Sequence, residues 1–265
     1  MPTIQEICDF LDEFAPSELA ADWDNVGLLV GDRVREAGKV MTCLTVTPDS
    51  AEEAVQEQVD LIVSHHPLPF RSFRQLTTDT TPGRLLLQLI EAKVAIFSPH
   101  TAFDSAAAGI NQRLAEGLGL ANIEPIEPVE LKDGTGGSGR VGVLPNDSTL
   151  SDMAQLLQEF LSLDGLHMVG TSDQRVTKVA IGCGSAGHFI EDACRLGCDL
   201  LVTGETNFHT CLEAEASGVA LLLPGHYASE RFAVEGLAKV IAGEFPGSTV
   251  WPSQRESDPL RWFAS

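Results

Sequence analysis

Imidazole and carboxylate side chains follow three short apolar runs of the chain, at residues 61–63, 94–97 and 219–223. Three imidazoles and two carboxylates form the mixed nitrogen and oxygen set that suits zinc, manganese, iron or cobalt rather than calcium. Two carboxylates can also bridge a pair of ions about 3.5–4 Å apart, a geometry that clamps and activates water. The candidate metal ligands are His65, His66, Asp104, His226 and Glu230.

The spacing of these residues allows them to share a site. His226 and Glu230 are four positions apart and lie on one face of a helix if the helix has begun there. His65 and His66 are adjacent and would point in opposite directions on a regular strand. Pro67 follows them and indicates that the strand has ended, so both rings can turn towards one site.

Strands alternate with helices along most of the chain, which predicts an α/β fold. The pattern predicts an amphipathic first helix over 4–14. Ser50 followed by Glu53 resembles a capping box and predicts a helix from Ser50 to about residue 59. Because ligands bind at the carboxyl ends of strands in such sheets, the candidate ligands stand where chemistry is expected.

The two halves of the chain look alike when the second is shifted back by 139 positions, which aligns residues 60–64 with residues 199–203. The order of elements favours two similar α/β domains related by pseudo-duplication, with chance similarity of two βαβ units as the alternative. The predicted metal site lies at their junction. The predicted domains are a first half with the N-terminal helix at 1–130, a Gly-rich linker or loop at 131–139, and a second half at 140–265 that completes the metal site.

The charge and the cysteines restrict the classes of partner and compartment. A net charge of −21 disfavours nucleic-acid binding. The apolar runs are too short for a membrane span, and residues 1–10 lack the basic start of a signal peptide, so we expect a cytoplasmic protein without membrane contact. The six cysteines include no CxxC pair and indicate free thiols. Cys194 and Cys198, four apart, are better explained as packed or idle thiols than as metal ligands.

Five segments of the chain match the motifs of one known family: Asp22-Trp23-Asp24-Asn25-Val26-Gly27-Leu28, Ser64-His65-His66-Pro67, His100-Thr101-Ala102-Phe103-Asp104, Thr203-Gly204-Glu205 and Gly225-His226 to Glu230. Through them the sequence resembles the Nif-three-like dinuclear-metal family, which is also labelled GTP cyclohydrolase I type 2. The resemblance covers nearly the whole chain. It implies two α/β domains, a toroidal homohexamer and two divalent metal ions per subunit facing an inner cavity.

The resemblance also implies roles for single residues. It makes His65, His66, Asp104, His226 and Glu230 the metal ligands, with Asp104 and Glu230 as the bridging pair. It places His100, Glu205 and His209 beside the ligands or on the substrate side, with plain structural roles as the alternative.

The predicted function is a two-metal-dependent hydrolase acting on a nucleotide or another phosphorylated small molecule. A metal-bound hydroxide is the expected nucleophile, and His100 or Glu205 would move protons as the catalytic groups. The alternative is a metal-binding scaffold, regulator or metal chaperone without turnover. A nucleic-acid accessory protein is a third class, which the charge counts against.

Two further motifs have open interpretations. The run Gly182-Cys183-Gly184-Ser185-Ala186-Gly187 fits a dinucleotide fingerprint between a strand and a helix. A Gly-rich turn that permits close helix packing is the preferred interpretation, and a loop that meets a substrate phosphate is another. Trp23, with Asp22, Asp24 and Asn25, either lines a ligand pocket or packs on the core while the carboxylates stay in solvent.

Overall fold

Two α/β units make up the chain in the computed structural model, which describes residues 1–71, 74–132 and 134–261. The first unit comprises Met1–Phe103 and Ala233–Ser265, and the second comprises Asp104–Phe232. In chain order the helices and strands are α1 (Ile4–Phe14), β1 (Gly27–Val30), β2 (Lys39–Cys43), α2 (Pro48–Gln56), β3 (Leu61–Ser64), α3 (Thr81–Glu91), β4 (Ala95–Ser98), α4 (His100–Ser105), α5 (Ile110–Gly117), β5 (Ala121–Glu124), β6 (Glu127–Leu131), β7 (Gly134–Ser138), β8 (Arg140–Thr149), α6 (Leu150–Leu161), β9 (His167–Val169), β10 (Arg175–Gly182), α7 (Ile190–Leu196), β11 (Leu200–Thr203), α8 (Phe208–Ser217), β12 (Ala220–Leu223), α9 (His226–Glu244) and β13 (Thr249–Pro252). The predicted α/β class is confirmed.

The first unit is built on a five-stranded sheet in the order β1-β4-β3-β2-β13. Its strands are parallel except β1, which runs antiparallel to β4. Side chains at alternate strand positions share a face, and Met41, Ile62 and Ile96 pack there against Ala54 of α2 and Leu89 of α3. Because β3 and β4 are parallel neighbours, the loops that follow them leave the sheet at the same edge.

The second unit is built on a six-stranded sheet in the order β5-β8-β10-β11-β12-β9, in which β10, β11 and β12 are parallel. The central strands β11 and β12 are buried along almost their whole length, as parallel strands between helices usually are. Val179 and Ile181 pack with Leu157 of α6 on one face. Ala180 packs with Ala193 of α7 on the other face.

The observed division into units differs from the predicted domains at 1–130 and 140–265. Residues 131–139, predicted as a linker or loop, contain β7, which pairs antiparallel with β6 inside the second unit. The chain leaves the first unit within α4 and returns to it within α9. The returning segment adds β13 beside β2. This pairing joins residues about 210 positions apart, from Lys39 to Thr249, and local patterns do not reveal it.

Matching hydrogen bonds in the two units support the predicted duplication. The carboxylate of Asp60 accepts from the backbone N–H groups of residues 38 and 39 at 2.9 and 3.0 Å. Asp199, 139 positions later, accepts from those of residues 177 and 178 at 2.8 and 2.9 Å. Lys39 Nζ donates to a carbonyl at the end of α2, and Lys178 Nζ donates to the corresponding carbonyl of α7. Duplication stays a prediction, and these matching hydrogen bonds favour it over chance similarity of two βαβ units.

Helix α1 begins and ends where the sequence predicts, whereas α2 begins earlier. Thr47 is the N-cap of α2, with Pro48 in the first turn. Ser50, predicted as the cap, stands three positions later: its hydroxyl accepts from the Thr47 N–H at 2.8 Å, and its own N–H donates to Thr47 Oγ1 at 3.2 Å. Proline suits the first helical position because an N–H at that position would have no acceptor within the helix, so its absence costs nothing.

None of the helices within the described ranges is both long and apolar enough to cross a bilayer.

Candidate metal centre

Three histidines of the first unit form one group, the histidine group: His65, His66 and His100. One ring nitrogen of each lies within 4.8 Å of those of the others, and their ring centroids are 5.0–5.5 Å apart. His65 and His66 follow β3, and His100 follows β4 at the start of α4. The parallel pairing of these strands therefore gathers the rings at one edge of the sheet.

Hydrogen bonds fix the orientation of two of these rings. Nδ1 of His66 lies 2.7 Å from Oγ1 of Thr45. The carboxylate of Glu256 accepts a hydrogen bond from the Thr45 N–H at 2.6 Å. Nδ1 of His100 donates to Oδ1 of Asp24 at 2.7 Å. Neither Thr45 nor Glu256 was predicted as a site residue.

Asp24 is enclosed rather than exposed, so the alternative in which the carboxylates stay in solvent is wrong for Asp24 and holds only for Asp22, which is exposed. Its side chain is 1% exposed, and it also accepts from the N–H and hydroxyl of Thr101 at 3.1 and 2.5 Å. Burial alone would raise the pKa of Asp24, but hydrogen bonds from His100 and Thr101 outweigh it and hold the pKa at about 2. Asp24 is therefore an ionised carboxylate that orients His100, whose φ of 25° is rare outside glycine.

The second unit contains another group of potential ligands, made of Asp104, His226 and Glu230. Carboxylate oxygens of Asp104 and Glu230 lie within 4.8 Å of each other, and Glu230 is 3% exposed. His226 and Glu230 share the first turns of α9 as predicted, with Nε2 of His226 3.2 Å from Oε2 of Glu230. Buried Glu230 thus lies close to both Asp104 and His226, and these two are partly exposed.

Glu205 holds the other nitrogen of His226. Nδ1 of His226 lies 2.9 Å from Oε1 of Glu205, whose side chain is 52% exposed. The hydrogen bond to Glu230 is the main reason that the pKa of His226 is raised to about 9, and it outweighs the opposing effect of burial. His226 therefore stands between two carboxylates, one buried and one open to solvent.

Two side chains that the sequence did not predict as site residues, Asn111 and Cys183, contact Asp104. The buried amide of Asn111 donates to the Asp104 carbonyl at 3.1 Å and accepts from the Cys183 N–H at 2.7 Å. The thiol of Cys183 faces the Asp104 carboxylate. Burial raises the pKa of this thiol well above its usual value, and the nearby Asp104 and Glu230 charges add to the effect. Asn111 belongs to no spacing motif that would have revealed it, and Cys183 stands in the Gly-rich run, whose pattern does not predict a contact with Asp104.

The glycines of the 182–187 run are explained by close packing. A Cβ on Gly184 would lie 2.2 Å from Oε1 of Glu230, and one on Gly187 would lie 1.9 Å from Oγ1 of Thr206. A Cβ on Gly182 would collide with Ala186 and Phe189. The Gly-rich turn that permits close packing is therefore the interpretation that the structure favours.

Other candidate residues lie outside the two groups. His209 is exposed on α8 with its ring beside that of Phe208, at a centroid distance of 5.9 Å. Cys194 is exposed and Cys198 is buried, and neither belongs to a group of three potential ligands among the residues that the structure describes. All six cysteines are free thiols, as predicted.

A family model and several relatives match nearly the whole chain. The model is described as Duf34/NIF3 (NGG1p interacting factor 3) and matches residues 2–259. A Clostridium perfringens protein named GTP cyclohydrolase 1 type 2 homolog is 35% identical over 229 residues, which is 86% of each chain. The Schizosaccharomyces pombe protein NIF3 homolog is 31% identical over 258 residues, or 92% of each chain.

Solved structures show the same fold. Reduced HcgD from Methanocaldococcus jannaschii superposes with a TM-score of 0.81 at 25% identity, covering 95% of this chain and 97% of that one. A Bacillus cereus protein related to NIF3 superposes with a TM-score of 0.89 at 22% identity, covering 99% of both chains. The second likeness shows the fold alone.

Proposed function

The chain belongs to the DUF34/NIF3 family, and from that premise we propose that it is a metal-dependent hydrolase acting on a nucleotide or another phosphorylated small molecule. The relatives named GTP cyclohydrolase 1 type 2 homolog support this substrate class. The proposed centre takes two divalent ions per subunit, of zinc, manganese, iron or cobalt. The proposed ligands are His65, His66, Asp104, His226 and Glu230.

The observation that carries the proposal is the way in which the histidine rings are held. In each of three histidines, Nδ1 contacts a side-chain oxygen and Nε2 is the other ring nitrogen. The pairs are His66 with Thr45, His100 with Asp24 and His226 with Glu205. In metal sites such a partner fixes the ring and makes the other nitrogen a better ligand. Rings held in this way suit a metal centre better than a packed core.

The donor types fit a divalent transition metal. The first unit offers imidazole nitrogens, and the second offers carboxylate oxygens within 4.8 Å of each other. Divalent ions held by such donors polarise a phosphoryl group or ring carbon and lower the pKa of a water molecule.

The catalytic roles that we propose fall to two residues beside the ligands. His100 moves a proton at Nε2 while Asp24 fixes its ring through Nδ1. Glu205 exchanges protons with solvent, which its exposed carboxylate can reach. The alternative is a scaffold, regulator or metal chaperone that uses the same ligands without turnover. The homohexamer likewise stays a prediction, which light scattering on the purified protein checks.

The test combines metal content with activity. Elemental analysis of the wild type should give about two ions per subunit, the number a two-metal hydrolase requires, and the double variant His66→Ala, Glu230→Ala should lose them. His188→Ala is the matched control, because it removes an exposed histidine outside both groups to which no role is assigned. The same samples are screened for phosphate release and GTP ring opening with manganese, iron, cobalt and zinc.

The outcomes separate the two candidate functions. Turnover that disappears together with the metal supports the hydrolase. Bound metal without turnover on any substrate favours the scaffold or chaperone. Absence of metal under every loading condition contradicts the ligand assignment.

A further inference from the structure

Two large aromatic side chains lie exposed beside the histidine group. Trp23 is 66% exposed and Phe70 is 50% exposed, and their ring centroids are 6.1 Å apart. Both rings also contact His100, with centroid distances of 5.9 and 5.8 Å and edge-on geometry. We call Trp23 and Phe70 the aromatic pair.

The loops that carry the aromatic pair are fastened by polar contacts. Asp24, which follows Trp23, is bonded to His100 and Thr101. The side-chain amide of Asn25 donates to the carbonyl of Pro69 at 2.9 Å, next to Phe70. The two loops are therefore fixed to each other and to the start of α4.

Burial does not account for the positions of the two rings. Most of the Trp23 surface is open to solvent even though its backbone is held in place, and exposed aromatic surface is costly unless something covers it. The chain is poor in aromatic residues, at 6%, so two of them side by side at the histidine group is a specific arrangement. An open, preorganised aromatic surface is typical of a binding site, because little order is lost when a ligand arrives.

We propose that the aromatic pair binds a flat heteroaromatic ring of the nucleobase type, stacked on the exposed face of Trp23 with its edge beside Phe70. The ring–ring distances within the cluster run from 5.0 to 6.1 Å, the range in which aromatic pairs attract, and a ligand ring extends this series. Bound there, the ring lies next to His100. The inference rests on the proposed function only in placing the reaction at the histidine group.

Binding is tested without turnover, on the metal-free protein. Calorimetry with guanosine, adenosine, cytidine and uridine measures ring binding, and ribose 5-phosphate serves as the probe that lacks the ring. Trp23→Ala should weaken nucleoside binding about tenfold or more, the usual loss when a stacking aromatic is removed. Trp23→Phe should keep most of it, because a phenyl ring still stacks. Phe208→Ala is the matched control, since Phe208 is 71% exposed in the second unit.

The inference is overturned if the wild type binds none of the nucleosides, or if Trp23→Ala binds them as the wild type does. It is also overturned if Trp23→Ala lowers ribose 5-phosphate binding equally. A change in assembly mass in Trp23→Ala, without nucleoside binding by the wild type, would instead make the pair a contact with a second copy. Because metal content and hydrolysis are not used here, Trp23-dependent nucleoside binding stands even if the hydrolase proposal fails.

Discussion

The thiol of Cys183 lies 3.1 Å from Oδ1 of Asp104, directly after the end of β10. Asn111 joins the same two residues through their backbones. Asp104 is thus held both at its carbonyl and at its carboxylate. Since a protonated thiol donates and a carboxylate accepts, the contact fixes the direction in which the Asp104 oxygens point.

Replacing Cys183 should weaken metal binding without removing a ligand. We expect Cys183→Ala to lower metal affinity about tenfold, the lower end of the usual loss when a group that orients a ligand is removed. Cys183→Ser keeps a donor and should stay close to the wild type. Competition with a coloured chelator measures the affinity, and Cys194→Ala is the control because that cysteine is exposed. Equal affinities for the alanine and serine variants would contradict the role.

A similar argument applies to Thr45, whose hydroxyl contacts Nδ1 of His66. Thr45→Val removes the oxygen at nearly constant volume and should lower metal affinity about tenfold. Thr45→Ser should keep the contact and restore binding. The measurement is again chelator competition, with the exposed Thr171→Val as the control. Normal binding by Thr45→Val would show that His66 needs no partner to take its orientation.

Local patterns in the sequence predicted the elements better than the pairings between them. The apolar periodicity of residues 4–14 predicted the bounds of α1, and the apolar run at 61–63 predicted β3, which ends one residue later. The cap of α2 was misplaced because Thr47 and Ser50 both fit a capping box, and Pro48 is the feature that separates them. The predicted loop at 131–139 is partly a strand. Its glycines permit close pairing, since a Cβ on Gly137 would lie 2.1 Å from the Glu127 carbonyl.

Residue type and position at strand ends predicted which side chains gather, but not what holds them. His65, His66 and His100 meet because β3 and β4 are parallel. Their partners come from remote points of the chain, such as Glu256, which lies more than two hundred positions from the backbone it binds near Thr45. Such contacts depend on the complete fold, so a reading of spacing and composition cannot supply them.

The hydrogen bonds of Glu53 indicate that the folded protein loses stability at acidic pH. Its buried carboxylate accepts from the Ser253 hydroxyl at 2.6 Å and from the N–H groups of Gln254 and Arg255 at 3.0 and 3.1 Å. Burial by itself would raise the pKa of Glu53, but these hydrogen bonds outweigh it and lower the pKa below the usual value. A carboxyl whose pKa is lower in the folded than in the unfolded chain stabilises the fold above the unfolded pKa, and this contribution is lost as the pH falls through the folded pKa.

Urea unfolding at a series of pH values checks this expectation. Glu53→Gln should lower the free energy of unfolding at pH 7 by about 1–3 kcal/mol, because buried donors lose their charged acceptor. The difference between wild type and variant should shrink as the pH falls below about 4.5, near the ordinary pKa of a glutamate. Glu57→Gln, an exposed change on the next turn, should leave both quantities unchanged. A difference that stays constant across the acid range would show that Glu53 acts by packing alone.

Substitutions at Gly184 and Gly197 distinguish the effect of backbone strain from the effect of a clash with Glu230, a proposed metal ligand. Its φ of +61° resembles that of Gly197, at +69°. A Cβ on Gly184 would strike the Glu230 carboxylate at 2.2 Å, whereas a Cβ on Gly197 meets nothing within 4 Å. Both changes to alanine should cost about 1 kcal/mol of stability from the left-handed backbone.

Only Gly184→Ala should also displace Glu230, and we expect it to lower metal content while Gly197→Ala keeps the full amount. Thermal unfolding measures the shared cost, and elemental analysis measures the specific one. Because Nε2 of His226 lies 3.2 Å from Oε2 of Glu230, a shift of the Glu230 side chain also changes the contacts of His226. Full metal content in a folded Gly184→Ala variant would mean that Glu230 has room to move without leaving the metal, or is not a ligand.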